Sequence, residues 1–261
     1  MLLREIIDII ESAAPLSAQE SWDNSGLQIG HRSDDVTSVL LCTDVTESVI
    51  AEAVAIKAQL VISHHPLLFH GLKTLAGNTP QQRITEEAIR HGIAVYSSHT
   101  AMDVQPAGVS GYAALLIGVH DAAVLSPAGG ATGLGVIGTL DTPMSLSDML
   151  ERLSQVFGQQ CIRYANPTDR MLWKVAFVGG SGAEFIADAV EQGADIFISA
   201  DIRHHDFTDW LGSIPIVDIG HFESEQFTKH IFRRLLEGRG LRIYDAMSDK
   251  TPVKWYCKAK N

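Results

Sequence analysis

Six of the chain's 11 histidines stand just behind apolar, β-rich runs: His64 and His65 after LVIS, His99 after IAVYSS, His204 and His205 after DIFIS, and His221 after IPIVD. In open α/β sheets, ligand sites lie beyond the carboxyl ends of the strands, where irregular backbone aims side chains into a crevice. His64 and His65 precede Pro66, so both imidazoles belong to a loop, and adjacent ligands there can serve two ions. His99 and Asp103 are four residues apart, as are His221 and Glu225. If the residues between them are helical, each pair lies on one helix face within reach of a single ion. Imidazole and carboxylate donors without thiolate suit Zn, Mn, Fe, Co or Ni, and fit an open or dinuclear site better than a closed structural zinc cage.

Taken singly, each element has a plainer reading. An i, i+4 pair of His and carboxylate is usually a surface contact, and the double histidine can be a turn with one buried, hydrogen-bonded ring. Three such elements, all at strand ends and two of them in register across an internal repeat, point instead to one metal site. If the fold brings Asp103 and Glu225 together, like charges force one carboxyl pKa up, and a divalent cation removes that conflict. The expected arrangement has Glu225 bridging two ions, with Asp103 and one of the adjacent histidines on the first and the other histidine plus His221 on the second. His99 is then a further ligand or a residue that orients Asp103. Asp201, His204, His205 and Asp206 either face the same cleft or form a helix N-terminus with acidic caps, so His99, Asp201 and His205 are the candidates for general acid or base work. The turn Gly179–Gly182 is an anion cradle or a plain tight turn, and it lacks the lysine of a P-loop. Trp22, Asp23 and Asn24, ahead of Ser25 and Gly26, read as a turn, and Cys42 as a core residue.

The elements that must position these residues alternate. VTSVLLCT (36–43), a helical stretch over 46–58, QLVIS (59–63) and IAVYSS (93–98) predict a largely parallel, helix-covered sheet. SPAGGATGLG at 126–135 then breaks the pattern. Beyond it, Ser145 with Asp148 marks a capped helix start before MLERLSQVF, followed by strand-like CIRYA and WKVAFV, a helix over 183–192 and DIFIS. The two halves are related. Residues 39–63 set against 175–199, a constant offset of 136, give eight identities, seven of them in IAEAVAIKAQLVIS against IADAVEQGADIFIS. At an offset of 122, His99 falls on His221 and Asp103 on Glu225. The expected fold is therefore α/β, with two related α/β repeats over 1–125 and 126–261. A C-terminal strand near 252–258 (VKWYC) completes the first, and the metal site lies in the cleft between them.

Composition sets limits. The 261 residues are 46% hydrophobic and 20% charged, enough for a real core. A net charge of -11 disfavours general nucleic-acid or anionic-lipid binding. Three scattered cysteines, Cys42, Cys161 and Cys257, fit a reducing compartment, with cytoplasm the default. The start MLLREIIDIIESAAP reads as an amphipathic helix rather than a signal peptide, and no apolar run reaches membrane-spanning length.

The ordered set WDNSGLQIG (22–30), ISHHPLLF (62–69), SSHTAMD (97–103), SADIRHHD (199–206) and GHFESE (220–225) resembles the Nif-three-like family, also called GTP cyclohydrolase 1 type 2 homologues. The resemblance spans nearly the whole chain. It implies a two-repeat α/β fold, a dinuclear centre with two divalent ions per subunit on His64, His65, Asp103, His221 and Glu225, and a toroidal homohexamer. The chain is too short for the large domain that some members carry between the repeats, and His204 stands where many have an aromatic residue. Two ions that share and activate a hydroxide suit a metal-dependent hydrolase, cyclohydrolase-like or phosphoesterase-like, on a small phosphorylated or nucleotide-like substrate. The alternative is a non-catalytic metal-dependent binding or regulatory module.

Overall fold

The computed structural model describes residues 1–256. The chain begins with helix α1 (Leu3–Ala13), strands β1 (Gly26–Ile29) and β2 (Ser38–Cys42), α2 (Glu47–Ala55), β3 (Leu60–Ser63), α3 (Pro80–Arg90), β4 (Ala94–Ser97) and the single turn α4 (Thr100–Asp103). It continues through α5 (Val109–Leu116), a hairpin of β5 (Val119–Gly129) and β6 (Thr132–Met144), α6 (Leu146–Phe157), β7 (Arg163–Ala165) and β8 (Leu172–Ser181). Then follow α7 (Ile186–Glu191), β9 (Ile196–Ala200), α8 (His204–Asp209), β10 (Ile216–Asp218), α9 (His221–Glu225), α10 (Thr228–Leu236) and β11 (Arg242–Asp245).

Local chemistry explains the boundaries. α1 buries Leu3, Ile6, Ile7 and Ile10 and exposes Arg4, Glu5 and Asp8, the 3.6-residue stripe of a surface helix. α2 starts where the Thr46 hydroxyl accepts from the Val49 amide, and α6 where Ser145 accepts from Asp148. α6 stops at Gly158, which takes a left-handed φ of 71°. No helix among the described residues is long and apolar enough to cross a membrane.

The chain divides into two compact units: Met1–Gly108 with Gln226–Asp249, and Val109–Glu225 with residues 250–256. The first has a five-stranded sheet in the order β1-β4-β3-β2-β11. Strands β2, β3, β4 and β11 are parallel, and β1 runs antiparallel to β4. The second has a six-stranded sheet in the order β5-β6-β8-β9-β10-β7, where β8, β9 and β10 are parallel and β7 is antiparallel to β10. Full burial of β2, β3, β4 and β9 explains why they read as continuous apolar runs.

The duplication survives to the level of register. Val39 pairs with Leu60 and Leu40 with Val61, while Val175 pairs with Ile196 and Ala176 with Phe197, the same offset of 136. Ile50, Ala53 and Ala58 in the first core have Ile186, Ala189 and Ala194 in the second. Where Leu40 and Val61 sit side by side, the other sheet has Ala176 beside Phe197, so a loss of volume on one strand is offset on its neighbour. The last helix of each repeat is exchanged: α5, which follows α4 in the first repeat, packs on β8 of the second sheet, and α10, which follows α9, packs on β2 of the first.

Two elements differ from expectation. The Gly-rich stretch 126–135 lies in the β5–β6 hairpin, with Gly129 and Gly130 at its tip, and the units divide at Gly108/Val109 and Glu225/Gln226. Glycine-rich punctuation marks tight turns as well as linkers. The strand expected near 252–258 does not form over 252–256, and 257 and 258 lie outside the described residues. The C-terminal strand that joins the first sheet is instead β11, pairing with β2.

Candidate metal centre

In the first unit the candidate ligands stand on loops that extend the parallel ladder. His64 N donates to Cys42 O and His65 N to Thr43 O beyond the end of β3. The Ser63 and Ser97 hydroxyls both reach the His65 carbonyl, pinning the turn before Pro66. His64, His65 and His99 present ring nitrogens that lie within 4.8 Å of one another and could hold a metal. His64 is fully buried and its Nδ1 lies 3.2 Å from Ser98 O. A carbonyl only accepts, so Nδ1 carries the proton and Nε2 the lone pair. That Nε2 faces Asp103 Oδ1, on α4, at 3.6 Å.

The other two imidazoles are aimed by carboxylates, Asp44 and the turn residue Asp23. His65 Nδ1 is 2.8 Å from Asp44 Oδ1. Asp44 is itself placed by Asp249, which accepts from the Thr43 and Asp44 amides and from Lys229 Nζ. His99 Nδ1 is 2.9 Å from Asp23 Oδ1. Asp23 also accepts from Ser25 Oγ and from the amide and hydroxyl of Thr100. Burial alone would raise the Asp23 pKa, but the hydrogen bonds from His99 and Thr100 and the nearby imidazole outweigh it and hold the carboxyl well below the usual range. The WDNS segment is thus an anchor for His99, not merely a turn.

The second unit repeats the design. His221 and Glu225 are the first and last residues of α9, and His221 Nε2 lies 3.1 Å from Glu225 Oε2, as the four-residue spacing predicts. His221 Nδ1 lies 2.7 Å from Asp201 Oδ2. Asp201 adopts a left-handed φ of 53°, one of four non-glycine residues in that region among those described. The buried Asp218 at the end of β10 ties both loops, accepting from Ile202 N and Gly220 N and pairing with Arg163. Glu225 is buried against Gly180, where a Cβ would stand 2.3 Å from its Oε1. The amides of Gly179 and Gly180 donate to Ser110 Oγ and Ser224 Oγ, so those two donors serve the protein rather than an anion. His205 is exposed on the first turn of α8 with its ring against His204, and Asp206 caps that helix by accepting from Arg203 N.

Each unit therefore sets an imidazole Nε2 against a carboxylate oxygen, with the opposite ring nitrogen held by an acceptor. With Nδ1 protonated, both facing atoms are acceptors and repel unless a cation stands between them. Donors about 2.1 Å from one divalent ion are about 3.0 Å apart at a right angle and about 3.4 Å apart at the tetrahedral angle. The separation of 3.1 Å lies between these values and that of 3.6 Å just beyond them, where a slightly wider angle or longer bond still lets one ion reach both atoms. Hydrogen bonds to the remote ring nitrogen are the usual support of metal-bound histidine.

The Duf34/NIF3 (NGG1p interacting factor 3) profile matches residues 1–251. The chain belongs to this family. Among Duf34/NIF3 relatives, a Clostridium perfringens protein named GTP cyclohydrolase 1 type 2 homolog is 35% identical over 228 residues, 86% of this chain and 87% of its own length. A Lactococcus lactis protein of the same name is 32% identical over 247 residues, covering 93% and 95%. The fold matches a crystal structure of a Staphylococcus aureus hypothetical protein with a TM-score of 0.91 at 26% identity, over 98% of this chain and 99% of that one. A Bacillus cereus protein related to NIF3 has the same fold, with a TM-score of 0.90 at 24% identity over the same shares.

Proposed function

We propose that this Duf34/NIF3 protein is a metal-dependent hydrolase of small phosphorylated or nucleotide-like substrates, with two divalent ions held by His64, His65, Asp103, His221 and Glu225. One observation carries the reading: in both units an imidazole Nε2 and a carboxylate face one another, with the far ring nitrogen held by an acceptor. Two ions there supply Lewis acidity and activate water at neutral pH. Asp44 and Asp201 hold protons on Nδ1 of His65 and His221 and so aim Nε2. His99, oriented through Nδ1 by the ionised Asp23, is the general base, taking a proton on Nε2 and returning it to the leaving group. Assembly as a cytoplasmic homohexamer belongs to the same reading.

The test is metal analysis of the purified protein, followed by a panel of phosphomonoesters, nucleotides and cyclic amidines with each candidate ion restored. Expected are two ions per chain and turnover that disappears in Glu225→Ala and His64→Ala while circular dichroism is retained. Turnover unchanged after metal depletion overturns the metal role. A loaded protein inert across the panel overturns the hydrolase and leaves a binding module.

A further inference from the structure

Beside the first unit's histidines lies an aromatic lip that metal binding does not require. Trp22 is 57% exposed and Phe69 37% exposed, and their ring centroids are 5.9 Å apart with planes tilted by 50°. Both abut His99, whose ring centroid is 5.9 Å from Trp22 and 6.2 Å from Phe69. Single exposed apolar residues are ordinary, but a contiguous pair next to convergent donors is not.

The backbone beneath the lip is fixed. Asp23, next to Trp22, is clamped to His99 and Thr100. Asn24 Nδ2 donates to Leu68 O at 2.6 Å, and Leu68 N donates to Gln28 Oε1 at 3.1 Å, which laces the 22–28 segment to the one carrying Phe69. Phe69 itself lies only four residues beyond His65. Exposed aromatic faces on immobilised backbone give contact area at little entropic cost on binding, the property of a preorganised stacking platform.

We infer that Trp22 and Phe69 form a subsite for the planar heteroaromatic ring of the ligand, a nucleobase or comparable heterocycle, stacked beside His99 while an anionic group reaches the metal donors. This rests on the proposed metal centre for the second half of the ligand and narrows its substrate class from small phosphorylated or nucleotide-like molecules to those bearing a planar ring. Stacking uses the ring's π-face and so tolerates different bases.

The test measures binding of GMP, ribose 5-phosphate and guanosine to the metal-loaded protein by calorimetry, in wild type, Trp22→Ala, Trp22→Phe and Phe69→Ala, with metal content and mass by light scattering recorded for each. Expected are GMP binding at least about tenfold tighter than ribose 5-phosphate and a loss of about tenfold or more in GMP affinity for Trp22→Ala. Ribose 5-phosphate affinity stays unchanged, and Trp22→Phe restores most of the loss. Equal GMP affinity in wild type and Trp22→Ala, or GMP no tighter than ribose 5-phosphate, overturns the subsite. So does a change of assembly mass in Trp22→Ala without a change in GMP affinity, which makes the lip a subunit contact. If the wild type loads no metal yet binds guanosine through Trp22, the subsite stands and the metal reading alone fails.

Discussion

Gly180→Ala is the sharpest probe of the second unit's half-site. Gly180 has φ +65°, and a Cβ there would lie 2.3 Å from Glu225 Oε1 and 3.2 Å from its Cδ. Ordinary contact begins near 3.4 Å, so the carboxylate must retreat by about 1 Å. A left-handed alanine also costs about 1–2 kcal/mol, or roughly 2–8 °C in melting temperature for a chain of this size. Backbone strain and ligand displacement can be separated with Gly193→Ala, because Gly193 has φ +72° and open space where the Cβ would go. Both variants should lose similar backbone stability. Only Gly180→Ala should lose metal affinity, by about 10–100-fold, measured by competition with a chromophoric chelator. If both variants hold metal as tightly as the wild type while melting earlier, Glu225 is not a ligand and the reasoning fails.

Asp201→Asn keeps the shape and tolerates the left-handed backbone, but removes the charge 2.7 Å from His221 Nδ1. Metal affinity should fall about tenfold with the metal-free melting temperature unchanged; an unaltered affinity by the same competition assay excludes Asp201 as the residue that aims His221. Glu52 would be raised by burial, but hydrogen bonds from the Ser248 hydroxyl and the Met247 and Ser248 amides hold its pKa below the ordinary 4.5. Its contribution is therefore complete above pH 4.5 and is lost as the pH falls through the depressed folded-state value. Glu52→Gln should melt roughly 2–4 °C below wild type at pH 7, for about 1 kcal/mol at a partly buried site, and the gap should close below pH 4.5 in scans over pH 3–7.

What could be read from the chain was what neighbours in sequence determine. Apolar runs such as LLC and LVIS are buried central strands, so periodicity and composition sufficed to place them, and parallel strand ends then named His64, His65, Asp103, His221 and Glu225 as candidates. Asp201 was legible as a cleft residue but not as the partner of His221, and Asp23 and Asp44 were not legible as partners at all, because Asp23 stands 76 residues before His99 and Asp44 and Asp201 about 20 before theirs. Nothing local distinguishes such an aspartate from a turn former. Gly180 reads as a loop glycine until Glu225 is seen to occupy its missing side-chain volume. The β5–β6 hairpin reads as a linker because its tip carries the same residues as one, and the end RIYD, short and half-exposed, has a weaker strand pattern than VKWYC.

The exchanged helices say something about how such a chain could arise. A polypeptide carrying one repeat would keep the helices between its strands but lack the exchanged one, and could borrow that helix only from a second copy, the hallmark of a domain-swapped dimer. Fusion of the two genes turns a concentration-dependent association into an intramolecular one. It also frees the halves to diverge, so that adjacent histidines on one side answer to Ala200 and Asp201 on the other.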